Sequence, residues 1–167
     1  TIEPPPSFHG SLRHYQVDGI SWLLFLRKFG LGGCLADDMG LGKTIQWITY
    51  LLTVKENEQP ETPSLLICPT SVLGNWQMEL KRFAPSLRVH LHYGPQRLKG
   101  PAFSEKIVGH YDLVLTSYTL SHLDESELGA IAWNSICLDE AQNIKNAYTK
   151  QATAIRRLNG YHRIALT

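Results

Sequence analysis

Short unbroken apolar runs alternate along the chain with stretches in which apolar residues recur every three or four positions. Leu65-Leu66-Ile67-Cys68, stopped by Pro69, is of the first kind, as are Leu113-Val114-Leu115 and Ile136-Cys137-Leu138. Such runs predict strands covered on both faces. Cys34-Leu35-Ala36 predicts a further short buried strand, Arg88 to Tyr93 alternates like one, and Arg163 to Leu166 begins a last one. Helical spacing predicts a helix over 12–29 with Val17, Ile20 and Leu24 on one stripe, ended by Gly30, Gly32 and Gly33. After Gly40 and Gly42 a second helix of about fourteen residues carries Ile45, Ile48 and Leu52. Glu56 to Pro63 is a polar loop. Leu73, Trp76, Leu80 and Phe83 share a third helical face, and 102–109, 119–132 and 149–158 complete the series. Strand–helix alternation of this kind means an α/β layer fold around a mainly parallel sheet.

Composition narrows the class. A chain of 167 residues, 43% hydrophobic and 19% charged, fits one domain and is too apolar for disorder. No run approaches the roughly 18 apolar residues that cross a bilayer. The start, Thr1-Ile2-Glu3-Pro4-Pro5-Pro6, has no signal-peptide character, and the lack of an initiator Met reads as an excised fragment. Cys34, Cys68 and Cys137 lie far apart in apolar segments, so they read as reduced thiols and not as a zinc site. His90 and His92 would share a strand face, but no third ligand stands at useful spacing, and they read as packed or solvent-facing. Net charge is only +1, yet Lys145, Lys150, Arg156, Arg157 and Arg163 occupy the last 27 residues without an acid. Charge alone favours a solvated basic helix there over a phosphate-facing surface.

Two segments carry chemistry. Asp37-Asp38-Met39-Gly40-Leu41-Gly42-Lys43-Thr44 lies between a predicted strand and a predicted helix, where a phosphate-binding loop belongs. Its glycines let backbone N–H groups curl toward phosphate oxygens, Lys43 would reach the β- and γ-phosphates, and the Thr44 hydroxyl would bind magnesium. Asp37 stands where the strict pattern has Gly. Ser135-Ile136-Cys137-Leu138-Asp139-Glu140-Ala141-Gln142 puts two carboxylates at a strand's carboxyl end, where parallel α/β folds bind ligands. Asp139 could hold the metal, and Glu140 could orient and deprotonate the attacking water. Either segment alone also fits an ordinary turn or an acidic strand end. Together each supplies what the other lacks.

Further segments join these two in a fixed order: Leu12 to Leu23, Cys68-Pro69-Thr70-Ser71-Val72-Leu73-Gly74-Asn75-Trp76, Leu115-Thr116-Ser117-Tyr118, Ile144-Lys145-Asn146 and Ala165-Leu166-Thr167. The chain thereby resembles the first RecA-like lobe of the Swi/Snf-related helicase-like ATPases of helicase superfamily two, and bacterial members most of all. The resemblance implies a three-layer RecA-like P-loop NTPase lobe over 1–167 whose second lobe, with its arginine finger, is absent. It implies ATP and magnesium as cofactors, with Lys43, Asp139 and Glu140 catalytic and Thr44 and Asp139 on the metal. Asp37, Asp38, Met39, Gly40, Leu41 and Gly42 would surround the nucleotide with Lys43 and Thr44. Gln16 would read adenine, its amide offering one donor and one acceptor. Thr70, Ser71, Thr116 and Ser117 would touch phosphates of a tracked strand in double-stranded DNA. On the residues alone, Gln16 fits an exposed helix face, and the four hydroxyls fit turn and N-cap work. Trp76 shares the face of Leu73 and Leu80 and reads as core rather than as a base-stacking platform. Asp38, Gln142 and Ala147 depart from the more usual Glu, His and Pro.

The resemblance therefore implies a DNA-dependent ATP hydrolase and translocase in a cytoplasmic setting, nucleoid-associated in a bacterium, with no membrane partner. An arginine finger is worth roughly three to five orders of magnitude in rate, so the lobe alone is expected to bind ATP weakly and hydrolyse it poorly. Two other classes stand beside this one: a P-loop NTPase acting on a small molecule or protein, and a non-enzymatic nucleotide-binding scaffold.

Overall fold

The computed structural model describes residues 3–36, 41–144 and 148–167. The candidate residues Asp37, Asp38, Met39 and Gly40, and the segment 145–147, lie outside that description. Among the described residues six strands form one sheet: β1 (Gly33–Leu35), β2 (Ser64–Cys68), β3 (Val89–Leu91), β4 (Leu113–Ser117), β5 (Trp133–Leu138) and β6 (Gly160–Leu166). Their order is β1-β6-β5-β2-β4-β3, and every pairing is parallel. The described residues also form seven α-helices, the first before β1 and the rest between strands: α1 (His14–Lys28), α2 (Leu41–Glu58), α3 (Leu73–Phe83), α4 (Pro101–Ile107), α5 (Tyr118–Leu123), α6 (Glu125–Gly129) and α7 (Lys150–Arg157). No described helix is long and apolar enough to cross a membrane.

The continuous apolar runs become the central strands because both their faces are covered. Leu66, Cys68, Leu113, Leu115 and Cys137 face one core with side chains of α1, α2 and α3, while Leu65, Ile67, Val114 and Ile136 face the other with Phe103, Ile107, Leu128 and Ile155. Neighbouring residues of one strand thus serve opposite layers. The expected three-layer α/β architecture is present. Register aligns the carboxyl ends: Cys68 pairs with Ser117 on one side of β2, and Ile67 with Leu138 on the other.

Several boundaries differ from the sequence expectation. In α1 the inward residues are Gln16, Ile20, Leu23, Leu26 and Arg27, whereas Val17 and Leu24 are half-buried. Arg27 tolerates burial because Glu58, Tyr50 and Asn134 accept its hydrogen bonds. The helix closes in a glycine turn, with Gly30 at φ 68 and the N–H of Leu31 donating to Leu26 at 2.9 Å. α2 continues to Glu58, into the segment expected to be loop. β1 is an edge strand in which Cys34 is exposed, not buried.

The expected helix over 119–132 is two helices divided at Asp124, whose φ −108 and ψ 34 leave the helical region. Its fully buried carboxylate lies 2.6 Å from His92 Nε2 and accepts from Arg97 Nε at 2.5 Å and Lys99 Nζ at 2.6 Å. His92 is therefore packed, and His90 is packed against Tyr111 with ring centroids 5.1 Å apart. Burial would raise the Asp124 carboxyl, but the hydrogen bonds from Arg97, Lys99 and His92 outweigh it and hold it well below the usual range.

A carboxyl lowered by folding stabilises above its unfolded value, near 3.9, and loses that contribution as pH falls toward the folded value. Asp124→Asn should therefore cost about 3–5 kcal/mol at pH 7, the scale for breaking a buried ion pair. In urea unfolding the gap from the parent should narrow steadily once pH drops below about 4. Burial, followed by the charges of Asp139 and Glu140, pushes the Cys68 thiol up to about 12, and burial also raises Cys137. An aromatic disulfide reagent at pH 8 should titrate one thiol, Cys34, in the native protein and all three in denaturant.

Candidate nucleotide site

The carboxyl edge of the sheet brings Lys43 and Asp139 together. Gly42, Lys43 and Thr44 lie in the first turn of α2, where backbone N–H groups lack intrahelical partners and the helix dipole is positive. Asp139 follows β5 directly, and its N–H donates to Ile67 of β2 at 2.9 Å. Lys43 Nζ stands 3.9 Å from Asp139 Oδ1, with only 12% and 9% of the two side chains exposed. Residues 96 positions apart in the chain thus meet, as the phosphate-loop and acidic-pair readings require.

Asp139 is held from every side. Oδ2 accepts from the Trp76 indole N–H at 2.8 Å, and Oδ1 accepts from the Glu140 N–H at 2.9 Å. The Tyr118 hydroxyl donates to its carbonyl at 2.7 Å. Burial, then the nearby Cys137 and Asp139, pushes the Tyr118 hydroxyl up, so it stays a proton donor. Glu140 occupies the left-handed region at φ 50 and ψ 47, a conformation that costs a non-glycine residue of order 1–3 kcal/mol. Its Oε2 accepts from Asn143 Nδ2 at 3.3 Å.

Gln16 sits in the first turn of α1 and is buried, not on an exposed face. Its Oε1 accepts the Arg13 N–H at 2.7 Å, closing the start of the helix. One turn along, a Cβ at Gly19 would lie 1.8 Å from Gln46 Oε1, so α1 seats directly on α2. The positions three residues before each of these contacts are Gln16 and Lys43.

The four hydroxyl residues divide. Thr70 and Ser71 are exposed in a 3₁₀ turn just past β2. Thr116 and Ser117 are buried; the Thr116 hydroxyl donates to His92 O at 2.9 Å, and Ser117 Oγ accepts the Leu120 N–H as the α5 cap. These two do not present hydroxyls at the surface of this lobe, unlike Thr70 and Ser71. A buried strand end and a helix start had already used them. Trp76 is core, as expected, standing edge-on to Trp47 with centroids 5.8 Å apart. Its bond to Asp139 was missed. The available signal was chemical: a buried indole N–H must find an acceptor.

The SNF2-related domain family matches residues 15–167. YwqA of Bacillus subtilis, described as a candidate ATP-dependent helicase/translocase, is 64% identical over 165 residues. The match covers 97% of this chain and 18% of that protein. The TATA-binding protein-associated factor mot1 of Schizosaccharomyces pombe is 40% identical, over 98% of this chain and 9% of its own length. The solved Sulfolobus solfataricus SWI2/SNF2 ATPase core in complex with dsDNA superposes with a TM-score of 0.87 at 44% identity. That match covers 99% of this chain and 33% of the other. The chain therefore spans under a fifth of these longer relatives and about a third of the solved core. With the parallel sheet, the Lys43–Asp139 approach and the ordered motifs, the conclusion is plain: this chain belongs to the SNF2-related domain family.

Proposed function

We propose that this chain is a single RecA-like, ATP-binding lobe of a DNA-dependent ATPase that hydrolyses ATP to ADP and phosphate to move along double-stranded DNA. The observation that carries the reading is the 3.9 Å approach of the Lys43 ammonium to the Asp139 carboxylate at the start of α2. A cation and a carboxylate converging at a helix N-terminus suit a triphosphate and its metal. The printed names of YwqA and of the Sulfolobus core lend ATP and DNA to the same reading.

The residues divide the work. Lys43 neutralises β- and γ-phosphate oxygens, and the first-turn N–H groups of α2 bind others. Asp139 and the Thr44 hydroxyl offer hard oxygen ligands, and the described residues hold no cluster of three or more His, Cys, Asp or Glu. That donor set fits magnesium, which takes one or two carboxylates and completes its shell with phosphates and water. When bound, the metal would draw charge from the phosphates. Glu140 follows the metal ligand in the chain and orients and deprotonates the attacking water. Gln16, buried on α1 beside α2, addresses adenine through its remaining amide capacity. Thr70 and Ser71 offer exposed hydroxyls to strand phosphates.

The full-length protein tests this directly. Double-stranded DNA should stimulate its ATPase, Lys43→Ala should weaken nucleotide binding, and Glu140→Gln should keep binding while lowering kcat by about 10²–10⁴-fold. A parent ATPase indifferent to every nucleic acid would instead favour an NTPase acting on a small molecule or protein. Normal cellular function in the Glu140→Gln variant would favour a non-enzymatic scaffold.

A further inference from the structure

Trp76 does more at this site than fill the core. Its ring is 2% exposed and edge-on to Trp47, and packing alone would account for that. Its N–H, however, donates to Asp139 Oδ2 at 2.8 Å, joining α3 to the residue that ends β5. The opposite oxygen, Oδ1, receives the Glu140 N–H at 2.9 Å and lies 3.9 Å from Lys43 Nζ. The carboxylate is therefore fixed about its own bonds: one oxygen points into α3 and the other toward the lysine and the start of α2. An indole has a single donor and no acceptor, so it holds a carboxylate without competing for the outward oxygen.

α3 also begins directly after the 3₁₀ turn of Thr70–Val72. Trp76 stands about one turn along this helix, so the exposed hydroxyls and Asp139 are joined through one rigid element.

Resting on the nucleotide reading above, we propose that Trp76 is a positioning residue: its N–H sets the Asp139 carboxylate for the magnesium of a bound nucleotide, and α3 links that carboxylate to the Thr70–Ser71 surface. Partners that orient a metal ligand typically contribute 10–100-fold to metal affinity or activity.

The test uses the full-length protein and a fluorescent N-methylanthraniloyl ATP, titrated with excess magnesium and again in EDTA. Two variants remove the donor: Trp76→Phe, and replacement of Trp76 by 3-benzothienylalanine, which keeps the bicyclic shape with sulfur in place of N–H. Both should bind the probe in EDTA as the parent does, while the gain in affinity from magnesium falls by about tenfold or more. KM for magnesium-ATP should rise more in Trp76→Phe than in Trp76→His, which retains a ring N–H. An unchanged magnesium gain in the benzothienyl variant would overturn the assignment, as would a parallel loss with and without the metal, the mark of a purely structural residue. A parent protein that binds no probe under either condition would overturn the nucleotide reading itself, and this inference with it.

Discussion

A lysine ammonium near a mostly buried carboxylate is stable only where the surroundings hold both in place. Charges removed from water lose their hydration, and their attraction offsets the loss only with good geometry and further hydrogen bonds. Asp139 meets that condition through the indole of Trp76, the N–H of Glu140 and its own backbone bonds to Ile67 and Tyr118. Lys43 meets it by its place at the head of an eighteen-residue helix whose buried face includes Trp47, Ile48, Leu51 and Leu52. The parallel sheet is what makes the meeting possible. With all strands running the same way, the ends of β2, β4 and β5 open at one edge, and crossovers return the chain to that edge again and again.

The central strands were legible because both their faces are buried, a setting that the unbroken apolar runs of β2, β4 and β5 suit. Leu65 to Cys68 needed no tertiary information to be read as a strand. Polar residues inside the fold were the obstacle. Gln16 and Arg27 lie on the inner face of α1, so the apparent apolar stripe was rotated away from the true one. Arg27 is buried by partners up to 107 positions distant, which no local pattern reveals. Asp124 likewise divides a helix through contacts with Arg97 and Lys99, supplied by a different part of the chain.

The site shows the same division. Lys43, Asp139 and Glu140 stood out because their chemistry needs neighbours of fixed spacing. Thr116 and Ser117 looked equivalent to Thr70 and Ser71 on paper, since all four follow strands. Only coordinates separate hydroxyls turned into the protein from hydroxyls left at its surface. Trp76 reads as core in the sequence because packing is a sufficient explanation for an aromatic on an apolar helix face, and the acceptor of its one polar atom lies 63 positions away.

The left-handed backbone of Glu140 has a consequence for substitution. A glycine would adopt that φ without steric strain, so a change to glycine would relieve the local backbone while removing the side chain. Relaxing the turn by that route gives up the carboxylate, so local comfort of the chain and possession of the acid are opposed at this one position.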